Sequence, residues 1–452
     1  MFFSIMATKK NTAKKSISIK KTPSSLGKPM KGRDVIVRAL ENEGVKVIFG
    51  YPGGASMEIH QGLTLSKKIR MVLPRHEQGG SFAAGGYARS TGDVGVCMAT
   101  SGPGATNLIT GIIDAKMDSI PLVAITGQVA STLLGSDAFQ ETDIMGATFP
   151  LVKHSYMVQN VEEIPKIINE AFHIARSGRP GPVLIDIPKN IQQQEGIADF
   201  NVKFDCPSYR PNLKPSILQC KKAAHAIQTA KRPIIYAGGG IVSSGASEEL
   251  RAFVKKTGIP VTTTAMGLGI FPSNDPLSLR MLGMHGAVYA NIAINHADLV
   301  IAMGVRFDDR VTGKLAEFCK NAQFIHMDID PTEINKNIVV DVPIQGDVKQ
   351  TLKIMQGYVE PNKDIKPWVK QVQGWKKEFP LEFKLKKGEI VPQSVVSDIN
   401  KLSAKDAIFS VGVGQHQMWA AQFLDFNQPS NWLCSSGLGA MGYGLPAAMG
   451  AQ

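Results

Sequence analysis

Glu77 stands where an apolar strand meets a Gly/Ala-rich helix, in the run PRHEQGGSFAAGGYARSTG at 74–92. A carboxyl group at such a junction can be partly desolvated and held still, which suits proton transfer to a bound heterocycle. A helix dipole alone would also favour an acid there. The following strand runs into TSGPGATN, residues 100–107. A glycine loop between strand and helix lets backbone N–H groups converge on anions or polar ligands, although many such turns are structural. The next strand ends at Gly127 and leads into a loop bearing Phe139, Gln140 and Glu141. An amide and an aromatic ring on a post-strand loop can line a small pocket. Arg179 precedes the buried run GPVLIDIP and Lys189 follows it. Either cation can pair with a phosphate or carboxylate, or serve only to cap and solvate a helix.

Further on, six stretches each end a strand or sit just beyond one: AGGG (237–240), TTTAMGLG (262–269), LGMHG (282–286), GVRFDDRVTG (304–313), HMDID (326–330) and GDV (346–348). In an open parallel sheet the ligand lies outside the carboxyl ends of the strands. Six such loops together imply one large ligand of dinucleotide size, with Asp328 and Asp347 placed to bind hydroxyls or an adenine edge. SVGVGQHQMWAAQF (410–423) and SSGLGAMGYGLPAAMG (435–450) bracket a further half-site. Glycines there allow backbone to approach a flat ring. Met418 and Met441 equally suit core filling.

The elements that must carry these residues are legible as an alternation. From Arg33 the pattern is helix, strand, loop, repeated, and runs such as PLVAITG are apolar throughout. Strands of that kind are buried on both faces, so an α/β architecture of tandem doubly wound parallel sheets is expected. The chain divides into a basic leader (1–30), a first domain (31–195), a proline-bearing linker (196–215), a central domain (216–356), a lysine-rich linker (357–392) and the start of a third domain (393–452). That last stretch is too short to complete a sheet of its own. Of the net charge of +12, the eight lysines of residues 1–31 supply +8, and this leader reads as disordered. It is acid-poor and Ser-rich like an organelle transit peptide, yet lacks arginine, so bacterial cytosol and plastid both stay open. The body has no basic stripe interleaved with aromatics, so nucleic-acid binding is not expected. No run of about 18 apolar residues indicates a membrane span. Five scattered cysteines without a CxxC pair read as reduced thiols, with neither a disulfide frame nor a zinc site.

With these pieces in order, residues 30–452 resemble the catalytic subunits of the acetolactate synthase (acetohydroxyacid synthase) family. The resemblance is carried by YPGGASMEIH, PRHEQG, ATSGPGATNL, DSIPLVAITGQV, DAFQETDI, GPVLIDIPK, GVRFDDRVTGK and GVGQHQMWAAQ. It implies that pyruvate is decarboxylated on thiamine diphosphate and joined to a second pyruvate or to 2-ketobutyrate, starting branched-chain amino-acid synthesis. Glu77 would be the cofactor-activating acid. Phe139, Gln140 and Lys189 would line the active site of the neighbouring subunit. Val413, Gly414, Gln415, His416, Met418, Gly439 and Met441 would hold the thiamine. FAD, with no net redox part, would contact Ser119, Arg179, Gly238, Gly239, Gly240, Thr264, Ala265, Met266, Leu282, Gly283, Met284 and His285. Its further contacts would be Gly304, Val305, Arg306, Phe307, Asp308, Asp328, Ile329, Asp347 and Val348, with Arg310 reaching the substrate channel. A homodimer or homotetramer is implied. A separate regulatory subunit is common in the family, and the chain does not reveal one.

Three departures stand out. Ala130 occupies a position where the family usually has proline, which implies weaker sulfonylurea inhibition than in an Ala130→Pro variant. Ser436 replaces a usual glycine and is expected to stiffen its turn. The sequence ends at Gln452, before the family's GDG…N segment that binds Mg2+, so the expected metal ligands lie beyond it and the sequence reads as a fragment of a longer product. The competing readings are a non-catalytic homologue that binds FAD or a full-length subunit, and another thiamine carboligase or oxidase such as glyoxylate carboligase, which lacks the Glu77 acid.

Overall fold

Two six-stranded parallel sheets dominate the computed structural model, which describes residues 27–385 and 387–452. The basic leader expected to be disordered lies, through residue 26, outside the described residues. The first sheet comprises β1 (Val47–Gly50), β2 (Arg70–Val72), β3 (Gly95–Ala99), β4 (Leu122–Gln128), β5 (His154–Met157) and β6 (Pro182–Pro188), in the order β2-β1-β3-β4-β6-β5. Every residue of β3, β4 and β6 is buried. Amphipathic helices such as Gly32–Asn42 and Ile164–Arg176 cover the faces. Connections leave β1 towards β2 on one side and β3 on the other, so the strand order reverses between β1 and β3.

The second sheet comprises β7 (Pro233–Ala237), β8 (Val261–Thr263), β9 (Ser278–Met281), β10 (Leu299–Met303), β11 (Gln323–Asp328) and β12 (Val342–Gln345), in the order β9-β8-β7-β10-β11-β12. This is the dinucleotide-binding strand order, with its reversal between β7 and β10. After it, β13 (Phe409–Ser410) and β14 (Trp432–Leu433) form a short parallel pair. No helix among the described residues is long and apolar enough to cross a membrane.

Several elements differ from the sequence expectation. Strands β5, β9 and β12 were not foreseen, because each lies towards a sheet edge and carries polar residues or proline, as in HSYM and VPIQ. The helical stretch that follows the TSGPGATN loop is split at Leu108 into Pro103–Asn107 and Ile109–Asp118. The lysine-rich stretch read as a linker contains a helix, Lys366–Glu378. Its Trp368 and Val372, one turn apart, are buried, and Trp368 Nε1 donates to Pro233 O at 3.0 Å. Lysines on the outer face masked that spacing.

The C-terminal helix Gly444–Ala451 packs on Glu77–Thr91 through small residues. A Cβ on Gly86 would lie 2.1 Å from Ala447 O, and one on Gly450 would lie 1.8 Å from Ala83 O. Only glycine permits that approach, so the Glu77 helix and the helix Gly444–Ala451 are packed backbone to backbone.

Candidate active site

Glu77 opens its helix after β2, and His76 precedes it as N-cap, accepting from Gln78 N at 3.1 Å. The Glu77 carboxylate is half-buried. Its Oε2 accepts from Asn107 Nδ2 at 3.0 Å. Oε1 faces Gly104, where a Cβ would sit 3.3 Å from it and 2.8 Å from Thr100 Cγ2. The glycine loop therefore lets the backbone close around the acid, and Asn107 fixes its orientation. Asn107 was missed as a site residue, although it ends the loop already singled out.

Gln140 and Lys189 sit at the carboxyl ends of neighbouring strands. Gln140 adopts a left-handed conformation (φ 60°) and its carbonyl presses on Gly102. The loop is held from within: Glu141 accepts from Ala138 N at 2.9 Å and from Gly135 N, and these backbone bonds lower its pKa. Beneath, Asp186 accepts from Thr126 Oγ1 and Gln128 Nε2, and Gln128 also reaches Thr142 O. Burial pushes Asp186 up to about 7. Asn190 clasps Ser131 by two hydrogen bonds, which brings Lys189 to the loop's other end. Phe139 is 89% exposed, and Lys189 is exposed as well. The four residues assigned catalytic roles thus lie along one edge of the sheet, on a face open to solvent.

The central domain forms a deeper site, a cleft that residues of the other two domains help to wall. A cavity of about 620 Å³ opens at the β7/β10 strand reversal. Such a volume suits a large ligand. It is lined by every residue assigned to FAD except Gly238 and Gly283, and by Arg310. Those two glycines stand behind the wall: Gly238 N donates to Met303 O, and Gly283 pairs with the Asn291 amide. A Cβ on Gly240 would meet Gly304 Cα at 2.5 Å. Two buried atoms of lining residues, Glu333 Oε2 and Trp432 Nε1, have no hydrogen-bond partner among the described residues. A polar ligand with both acceptors and donors fits that chemistry.

The cavity's charged residues are already engaged. Arg179 Nε donates to Ser119 Oγ at 2.9 Å, and its Nη1 pairs with Asp330 and Glu333 at 3.1 and 2.7 Å. Asp347 and Asp308 cap the helices that follow them, accepting from Gln350 N and Arg310 N. Asp328 is buried, and that burial raises its pKa to about 7. A carboxyl group at that value can either donate or accept near neutrality.

The thiamine assignments divide between the two surroundings. Val413, Met418 and Gly439 line the cavity's C-terminal wall. Gly414, Gln415 and His416 are exposed at the start of the helix Gln415–Phe423, and Met441 is 79% exposed. Among the described residues no group of three or more His, Cys, Asp or Glu side chains is placed to hold a metal ion.

Comparison with known proteins gives three successive matches. Residues 30–147 match the thiamine pyrophosphate enzyme N-terminal TPP binding domain, 220–355 the central domain and 412–452 the C-terminal TPP binding domain. The chain is 54% identical over 431 residues to acetolactate synthase 3, chloroplastic, of Brassica napus, covering 94% of this chain and 66% of that protein. It is 54% identical to acetolactate synthase, chloroplastic, of Arabidopsis thaliana, covering 94% and 64%. To acetolactate synthase 2, chloroplastic, of Zea mays it is 53% identical over 436 residues, covering 95% and 68%. The chain spans about two thirds of the length of these curated relatives.

Proposed function

The chain belongs to the acetolactate synthase family of thiamine pyrophosphate enzymes, and from that membership we propose that it joins pyruvate to a second 2-keto acid, pyruvate or 2-ketobutyrate, with loss of one carbon dioxide. Thiamine diphosphate, when bound, supplies the carbanion chemistry. The observation that carries the reading is the Glu77–Asn107 pair at the carboxyl edge of the first sheet, with Gln140 and Lys189 along the same edge. Glu77 Oε1, beside Gly104, would hold and release a proton at the site of the thiamine ring, and Asn107 keeps the carboxyl group in place. Lys189 offers its ammonium to a keto-acid carboxylate, and Gln140 and Phe139 shape the pocket above it.

This edge is open, and so is the surface bearing Gln415, His416 and Met441. Exposed catalytic faces of that kind are completed when a second copy of the chain places one against the other and excludes water. The central cavity suits FAD in size, strand order and polar lining, as a resident group without a net redox part. Mg2+ would be needed against two phosphates. The chloroplastic names of the plant relatives favour the plastid over the bacterial cytosol.

The test is to incubate the purified protein with pyruvate, thiamine diphosphate, Mg2+ and FAD and to follow acetolactate and carbon dioxide. Equal amounts of the two products, abolished in Glu77→Gln, are expected. Flavin uptake without any acetolactate would replace this reading with the non-catalytic one.

A further inference from the structure

A buried ionic cluster outside the groups assigned above joins all three parts of the chain. Arg89, on the Glu77 helix, lies 2.6 Å from Asp118 and 3.8 Å from Asp114, both on the helix Ile109–Asp118. The three side chains are at most 5% exposed. Arg89 Nη1 also reaches Met266 Sδ of the central domain at 3.3 Å, and its guanidinium lies 5.6 Å from the Tyr443 ring centre. The acids spend their other lone pairs on the C-terminal segment. Asp118 accepts from Ser436 N at 2.9 Å and from Gly437 N at 2.7 Å. Asp114 accepts from Ser435 Oγ, which in turn accepts from Ala440 N at 2.8 Å.

These contacts have a direction. The stretch Ser435–Gly442 holds three glycines, two of them left-handed at φ 71° and 84°, so its own conformational preference is weak. Two carboxylates buried away from water must find donors, and the turn supplies them, two backbone N–H groups to Asp118 and the Ser435 hydroxyl to Asp114. The turn is pressed close: a Cβ on Gly437 would lie 2.8 Å from Met117 Cβ and 3.0 Å from Asp118 Oδ1. Ser436, at the position expected to stiffen the turn, shares a hydrogen bond between its hydroxyl and Cys434 Sγ at 2.9 Å, in which either group can donate.

We propose that Arg89, Asp114 and Asp118 are positioning residues that set the Ser435–Ala440 turn and thereby place Gly439 and Met441 in the thiamine-binding half-site. The proposal rests on the thiamine reading above. It adds that the segment's geometry is imposed by acids of the first domain and is not intrinsic to the turn.

Hydrogen exchange followed by mass spectrometry on the whole chain, without cofactors, tests the clamp in Asp118→Asn and Ser435→Ala. Asp186→Asn, a buried acid that does not touch the turn, is the control. Exchange at residues 436–440 is expected to rise about tenfold or more in the first two, with β4 and β10 unchanged in them, and to stay at the wild-type rate at 436–440 in the control, whose lost contacts are with Thr126 and Gln128 of β4. A thiamine diphosphate titration by tryptophan fluorescence is expected to show about a tenfold higher half-saturation in the same two variants. Unchanged turn exchange, or a rise spread equally over β4 and β10, overturns the clamp. Faster turn exchange with unaltered half-saturation overturns the positioning role. Should Asp118→Asn not fold, Ser435→Ala decides alone. A wild-type chain that takes up no thiamine diphosphate overturns the proposed function and the positioning role together, while the exchange result still reports on the clamp.

Discussion

The central cavity and the Glu77 edge both lie at the carboxyl ends of parallel strands, yet one is walled by several parts of the chain and the other is an exposed edge. Around the cavity, three parts of the chain converge: Arg179 from the first domain, the Gly240 and Gly304 loops from the second, and Trp432 to Gly439 from the third. Along the Glu77 edge, Phe139 points outward with 89% of its surface exposed. A site that only has to hold a resident group can be closed by one chain. On the proposed function, the open edge would be completed by a second copy of the chain, each contributing one half of the site. The difference teaches that residue placement within the chain and completeness of the site are separate questions. Glu77 is oriented by Asn107 within the chain, and its environment still depends on what covers it.

The largest expected effect separates the two regions. Glu77→Gln should lower acetolactate formation about a hundred- to ten-thousand-fold, the usual worth of a placed acid, and leave flavin uptake untouched. Loss of both would mean that the regions are not independent. Next, Gly240→Ala should do the reverse. Its Cβ would sit 2.5 Å from Gly304 Cα, so the two loops must part. Stability should fall roughly 1–3 kcal/mol, and flavin uptake, followed by flavin fluorescence, should weaken. Retained affinity would show that the cavity wall is softer than its packing indicates.

A smaller effect concerns pH. Burial raises Asp328 from 3.8 to about 7, so between those values the folded chain keeps a proton that the unfolded chain has lost. That contribution is complete below pH 4 and disappears as pH rises through 7. Asp186, raised to about 7, and Asp114, raised to about 6, act in the same direction. Asp328→Asn should therefore flatten part of the fall in denaturation midpoint between about pH 4 and pH 7. An unaltered slope would remove Asp328 from this account. The smallest effect belongs to the open edge. Ala130 has φ −55° and ψ 141°, which proline adopts without strain. Ala130→Pro should stabilise the chain by roughly 0.4–1 kcal/mol in denaturant unfolding and, as the family resemblance implies, strengthen sulfonylurea inhibition. A destabilised variant would indicate that the amide of Ala130 has an unseen role.

Much of the framework was legible because parallel strands buried on both faces are written as continuous apolar runs, and PLVAITG and GPVLIDIP both became central strands. The loops at their ends followed, and with them the cavity lining. Elements that depend on distant partners were not legible. Strand β5 has the polar sequence HSYM and exists only because β6 pairs with it. The Arg89 cluster joins residues more than three hundred positions apart, as in Asp118 with Ser436. No local spacing carries that information. Asn107 lies between these cases, since its loop was recognised and its bond to Glu77 needed the fold.

The central claim, that two open half-sites meet between copies of the chain, is tested most directly by mixing two variants. Glu77→Gln disables one half and His416→Ala the other. Refolded together in equal amounts, they should form mixed dimers in which one of the two sites carries both unaltered halves. The account predicts that acetolactate formation reappears on mixing, well above the sum of the separate variants. A mixture no more active than that sum, with mixed dimers present by native mass spectrometry, would contradict it.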